Sequence, residues 1–116
     1  MNVLMVFHDG PYGSEKPYNG LRWARSLAQK EDVKVRVFMF ADAVACAVSG
    51  QRVPAGYYNV ETMIQAFARH GGEVGCCGSC MDARGITYGM LAGGSRRSSL
   101  DELTCWTLWA DRVISI

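Results

Sequence analysis

The chain has no long hydrophobic run. Its longest, residues 37–48, is broken by Asp42 and falls far short of the roughly 20 apolar residues that a membrane-crossing helix needs. It also has little charge of either sign to spare: twelve Lys and Arg against eleven Asp and Glu leave a formal charge of +1. With no basic stretch, it lacks the cationic surface by which proteins bind nucleic-acid phosphates. No basic leader precedes the first apolar stretch, MNVLMVFHDG, which is therefore not read as a signal peptide. These absences point to a soluble, cytoplasmic protein with no membrane and no direct nucleic-acid partner. Thiols stay reduced in that compartment, so the five cysteines are not expected to staple the fold. Five is an odd number, and at least one thiol stays free under any intramolecular pairing.

What is present is an ordinary globular composition, 49% apolar and 20% charged, in 116 residues. That is one domain, and one small enough for oligomerisation to be a natural supplement to its core. Nine of the twelve cations are arginine, the residue suited to fixed-geometry anion contacts.

Residues 2–8 form a β-branched and aromatic run that ends in the turn-rich DGPYGSEKP, which reads as a buried strand entering a loop. Tyr18, Leu21, Ala24, Leu27 and Ala28 then recur at helical spacing. Residues 33–40 read as a second buried strand. Asp42 is expected to cap a short helix through Val48, closed by Gly50. After a loop, Val60, Met63, Ile64, Phe67 and Ala68 form a helical stripe that His70-Gly71-Gly72 ends. Residues 73–76 read as a brief third strand, residues 81–84 as a helical turn, and the stretch from Gly85 to Arg97 as loosely patterned. Ser98 or Ser99 caps a last helix with Asp101 and Glu102 in its first turn. It ends near Ala110, and residues 112–116 form a closing strand.

Strands alternating with helices imply an α/β fold: a single-domain open parallel sheet of about five strands, helices on both faces, in a flavodoxin-like three-layer sandwich. In such sheets chemistry gathers outside the carboxyl ends of the strands, where residues 9–16, 42–46 and 76–84 all fall. The last of these holds the chemically richest stretch, GEVGCCGSCMDARG at residues 72–85, with three thiols in five positions.

Three chemistries compete there. A metal knuckle could use Cys77 and Cys80, with Cys76 as a third thiolate, but structural zinc wants a second, separate pair. His70, Cys46 and Cys105 are single residues in different elements, so no metal site is expected, and no cofactor. A Cys-x-x-Cys pair could instead cycle between dithiol and disulfide, although little helix follows it before Arg84-Gly85. Or one thiolate could act as a nucleophile. Wound helically, Cys77, Cys80 and Arg84 stand at i, i+3 and i+7 on one face, and Arg84 would place a permanent positive charge beside the sulfur. The bland alternative, small buried hydrophobes at a strand end, fits poorly with the flanking Gly75 and Gly78.

The segments HDGPYGSEKPYNGLRWA, FADAVACAV, PAGYYNVETM, GCCGSCMDARG and RRSSLDELTCWTLWADRVISI together resemble the DsrE/DsrF-like family, in register over nearly the whole chain. The resemblance implies a parallel α/β fold and homo- or hetero-oligomers such as trimers and hexamers. It also implies a sulfur-relay role in which one cysteine carries sulfur as a persulfide between a donor and an acceptor protein; the alternative is a non-catalytic DsrE-like module whose cysteine cluster lines a ligand or partner pocket. Relay members place that cysteine just before a short helix ending in Arg-Gly, which here singles out Cys77, with Cys80 as its partner. Cys76, a second thiol beside the expected one, departs from that pattern.

The remaining candidates are supporting ones. His8 and Asp9 end the first strand and could shuttle a proton near the thiols. Asp42 reads first as a cap. Cys46, among alanines and valines, reads as buried packing that could still face the cluster. Cys105, in the last helix beside Trp106, reads as structural. That helix is apolar nearly all round (Leu100, Leu103, Trp106, Leu108, Trp109), which calls for cover on more than one side, and a second subunit is the favoured cover. Tyr57 and Tyr58 are candidates for a contact or a pocket lid. The glycine-rich MLAGGSRR lacks the Lys-Ser/Thr ending of a nucleotide loop.

Overall fold

The computed structural model describes residues 1–116. Five parallel strands form one sheet in the order β4-β3-β2-β1-β5. They are β1 (Asn2–Phe7), β2 (Lys34–Met39), β3 (Glu73–Cys77), β4 (Ser95–Ser98) and β5 (Arg112–Ser115). The helices are α1 (Lys16–Ala28), α2 (Val60–Arg69), α3 (Gly78–Ala83) and α4 (Leu100–Trp109), with a 3₁₀ segment over Ala41–Ala47. None is long and apolar enough to cross a membrane. The fold is the expected open α/β sheet.

β1 and β2 are buried along almost their whole length, as strands covered on both faces must be, and their apolar runs carry that in the sequence. Successive crossovers from β1 to β4 step in one direction, which places α1 and α2 together over one face. The chain then returns across the sheet to set β5 beside β1. A right-handed crossover in the reversed direction must pass over the opposite face, and α4 lies there, with Trp106 edge-on to Phe38 of β2 at 6.2 Å. Arg36 of β2 stacks on Trp109 at 4.0 Å and on Trp106 at 5.2 Å. Glu73 and Glu102 then bracket Arg96 of β4, so that α4 is docked by cation–π and ionic contacts as well as by burial.

Gly20 lets α1 sit directly on the sheet: a Cβ there would run into Phe7 and Ile116. Register brings Phe7, Met39 and Cys76 into one row across β1, β2 and β3. The pleat sends alternate residues to opposite faces, so Cys76 joins the α1/α2 side while Gly75, under Trp106, opens to α4.

Two expectations are corrected. The stretch from Gly85 to Arg97, read as loosely patterned, ends in the edge strand β4. Its sequence is SRRS, and none of its four residues is buried; an edge strand of polar residues carries no apolar alternation to detect. Asp42 does not cap the 3₁₀ segment. Phe40 occupies the cap position with no side-chain bond, and Asp42 is turned outward to Arg84. The expected helical turn at 81–84 is the second half of α3, which begins directly after β3.

Candidate functional site

The carboxyl end of β3 runs straight into α3, and Cys77 is the junction. It is the N-cap of α3, where its Sγ accepts the Cys80 backbone N–H at 3.4 Å and lies 3.4 Å from the Ser79 hydroxyl. Gly78 follows, and a Cβ there would stand 2.8 Å from the Arg97 guanidinium, which would have to shift. A sulfur in an N-cap receives the donors that a helix start leaves unpaired. Burial pushes the Cys77 thiol up, but hydrogen bonds from the Cys80 and Ser79 side chains and backbones outweigh it and hold the thiol below its ordinary value. Only 3% of the residue is exposed.

Cys80, one turn on, is half-buried, and its Sγ accepts the Ala41 N–H at 3.3 Å. Ala41 adopts φ +52° at the end of β2, a left-handed conformation that costs a non-glycine residue about 1 kcal/mol and that aims its N–H at this sulfur. Burial raises the Cys80 thiol, and the hydrogen bond to Cys77 raises it further, against the lowering influence of the Ala41 N–H and the Arg84 charge. The pair is therefore asymmetric, with the first thiol more acidic than the second. All five cysteines are free.

Cys76 and Cys46 are of another kind. Both are fully buried, and burial pushes each thiol up to about 12. Cys46 donates to the Asp9 carbonyl at 3.6 Å. The three clustered thiols do not converge, since Cys76 and Cys77 leave β3 on opposite faces, and no group of three or more His, Cys, Asp or Glu is placed to hold a metal ion. Cys105, expected to be structural, is exposed on α4, because the buried face of that helix is occupied by Leu103 and Trp106.

Arg84 reaches back across α3. Its Nε and one terminal nitrogen bind Asp42 Oδ1 at 3.0 and 2.7 Å, and the other terminal nitrogen binds the Cys80 carbonyl at 3.0 Å. It ties α3 to the end of β2, and its charge bears on Cys80 rather than on Cys77. The cation over Gly78, the residue after Cys77, is Arg97 of β4. It is paired bidentately with Asp82 at 2.8 and 3.0 Å. No sequence motif marks it: Arg97 is 20 positions from Cys77, and the parallel pairing of β4 with β3, which sets Arg97 across from Cys76 and Ser98 across from Cys77, leaves its guanidinium over Gly78.

His8 lies apart from the thiols. Its Nε2 is 2.9 Å from Ser115 Oγ on β5, and its ring stacks on Phe40 at 6.0 Å. Beside the thiol turn, Asp9, Gly10, Ser14, Asp42 and Arg84 line an open cavity of about 610 Å³. Cys77 and Cys80 are not among its walls; Asp42 and Arg84 connect the two regions. Tyr58 stacks between Tyr18 and Tyr12 at 4.1 and 5.7 Å, while Tyr57 is exposed.

The chain is similar to known proteins in sequence and in fold. Protein YchN of Escherichia coli is 36% identical over 114 residues, 97% of each chain. An uncharacterised protein of Methanopyrus kandleri is 31% identical over 113 residues, 97% of this chain and 91% of that one. The crystal structure of the E. coli ychN protein superposes with a TM-score of 0.93 at 35% identity, covering 100% of this chain and 99% of that one. A protein of unknown function from Methanobacterium thermoautotrophicum shares the fold, with a TM-score of 0.81 at 14% identity over 99% and 98% of the two chains. The profile of the DsrE/DsrF-like family matches residues 1–116, and the chain belongs to that family.

Proposed function

We propose that this protein is a cytoplasmic sulfur carrier that holds sulfur as a persulfide on Cys77 and passes it to a partner thiol. The observation that carries the reading is the asymmetric pair: an acidified Cys77 in the N-cap of α3, one turn from a less acidic Cys80. A thiolate, not a thiol, is the nucleophile in sulfur transfer. In the loading step the Cys77 thiolate attacks the outer sulfur of a donor persulfide. A bond forms between Cys77 Sγ and that sulfur, the donor's S–S bond breaks, and the donor sulfur leaves as a thiolate that takes a proton. In the unloading step an acceptor thiolate attacks the terminal sulfur, and Cys77 Sγ leaves as a thiolate held by the same Cys80 and Ser79 donors. No net oxidation occurs. Arg84 and Asp42 fix α3 against the end of β2, keeping Cys80 and the Ala41 N–H in place. Cys76 and Cys46, buried and kept protonated by burial, take no part.

Intact-mass measurement after incubation with a persulfide donor tests the reading. The protein gains about 32 Da, one sulfur atom; the adduct is lost in Cys77→Ser and kept in Cys105→Ser. A wild-type protein that takes up no sulfur refutes it.

The Cys77–Cys80 contact supports a second reading, a dithiol oxidoreductase. Reversible loss of two hydrogens with no gain of sulfur would select it. In either case the working form is a homo-oligomer. On α4, Leu100 is 64% and Leu108 83% exposed, an apolar surface that a second copy would cover.

A further inference from the structure

We propose that Arg97 is the cationic partner of the sulfur carried on Cys77, contacting the terminal sulfur of the persulfide. This rests on the sulfur-carrier reading above. A persulfide extends its charged sulfur about 2 Å beyond Cys77 Sγ. The Cys80 and Ser79 donors already converge on Sγ, so the outer sulfur needs a counter-charge of its own.

Each charged or titratable group around the thiol turn can be placed. Arg84 is committed to Asp42 and to the Cys80 carbonyl. Cys76 lies on the other face of β3, and Cys80 stays protonated longer than Cys77. Asp82 faces Arg97. Arg97 is itself paired with Asp82, and Arg96, on the α4 side, with Glu102 and Glu73; what sets Arg97 apart is position, because its guanidinium occupies the space above Gly78, the residue after Cys77, where a Cβ would stand 2.8 to 2.9 Å from three of its atoms. Gly78 and Arg97 thus form a matched pair: the missing side chain at one position is the seat of the other. The Arg97 side chain is 44% exposed, so it can follow a sulfur that has grown longer by one atom while Asp82 keeps it over α3. On helical grounds alone α3 would tolerate alanine at position 78.

The test is the pH profile of Cys77 alkylation by iodoacetamide in a Cys80→Ser background, resolved by peptide mass so that Cys105 does not contribute. An opposite charge a few ångströms away favours a thiolate by about a pKa unit or more. Arg97→Ala is therefore expected to slow Cys77 alkylation at pH 7 by about tenfold, to move the inflection upward, and to shorten the persulfide lifetime. Arg97→Lys should restore part of each effect. Gly78→Ala displaces the guanidinium without removing it and should move the profile in the same direction. In the double variant it should add nothing to Arg97→Ala, because the two act on one contact. An unchanged Cys77 profile in a folded Arg97→Ala protein, or additive effects in the double variant, would overturn the proposal. The alkylation profile needs no persulfide, so it reads the Arg97 contact even if wild-type protein takes up no sulfur, the outcome that defeats the carrier reading.

Discussion

Cys76 and Cys77 follow one another at the end of β3, and the pleat sends them to opposite faces. Cys77 meets N–H and O–H donors, whereas Cys76 meets the α1/α2 core and only the distant charge of Arg96 to lower it. A thiol pushed up to about 12 stays protonated in the folded protein while the unfolded chain releases its proton near 9.0. Above that pH the unfolded state binds fewer protons, so folding stability falls as pH rises. The contribution is intact below pH 9 and is lost on the way to 12. Each of the two buried thiols accounts for about 1.4 kcal/mol per pH unit in that window. The urea midpoint should therefore drop steeply between pH 9 and 11, and Cys76→Ala should flatten part of the slope while lowering stability at pH 7. An alkaline limb as steep in Cys76→Ala as in wild type would show that the loss comes from other groups.

At the scale of elements, α1 owes its depth to Gly20, which rests against Phe7 and Ile116. Gly20→Ala should cost about 1–3 kcal/mol by overpacking, less about 1 kcal/mol regained from helix propensity, as read by urea denaturation. A variant more stable than wild type would mean that α1 can lift off the sheet at no cost. The elements with strong apolar periods, β1, β2, α1 and α2, were legible in the sequence because burial on one stripe or on both faces writes a pattern. β4 was not, since SRRS at an edge buries no residue. Nor was the outward turn of Asp42: a carboxylate at the start of a short helix has the composition of a cap, and its pairing with Arg84, 42 positions on, is decided by where α3 docks.

The whole molecule has two unequal faces. α1 and α2 cover one side of the sheet, and the ten-residue α4 alone covers the other. Leu108 is 83%, Leu100 64% and Val113 50% exposed, and these are the apolar side chains that the proposed homo-oligomer would cover. Leu108→Asp should shift the sedimenting species toward smaller assemblies with little change in the unfolding midpoint, since the side chain buries almost nothing in the protomer. Equal sedimentation of the two proteins would exclude this part of α4 from the proposed contact.

Local composition determined a good deal here by itself. The apolar runs set strands and helices in alternation, the alternation required a parallel sheet, and the sheet put the cysteine stretch at its carboxyl edge. Those are short-range constraints of period and handedness, and any reader of the residues can recover them. The difference between Cys76 and Cys77, the exposure of Cys105, the turn of Arg84 toward Asp42 and the place of Arg97 over Gly78 came only with the folded chain. Thiol acidity depends on burial and on donors a few ångströms away, and those neighbours arrive from β2, β4 and the start of α3, brought together by strand pairing across gaps of 20 to 40 positions that no local pattern spans.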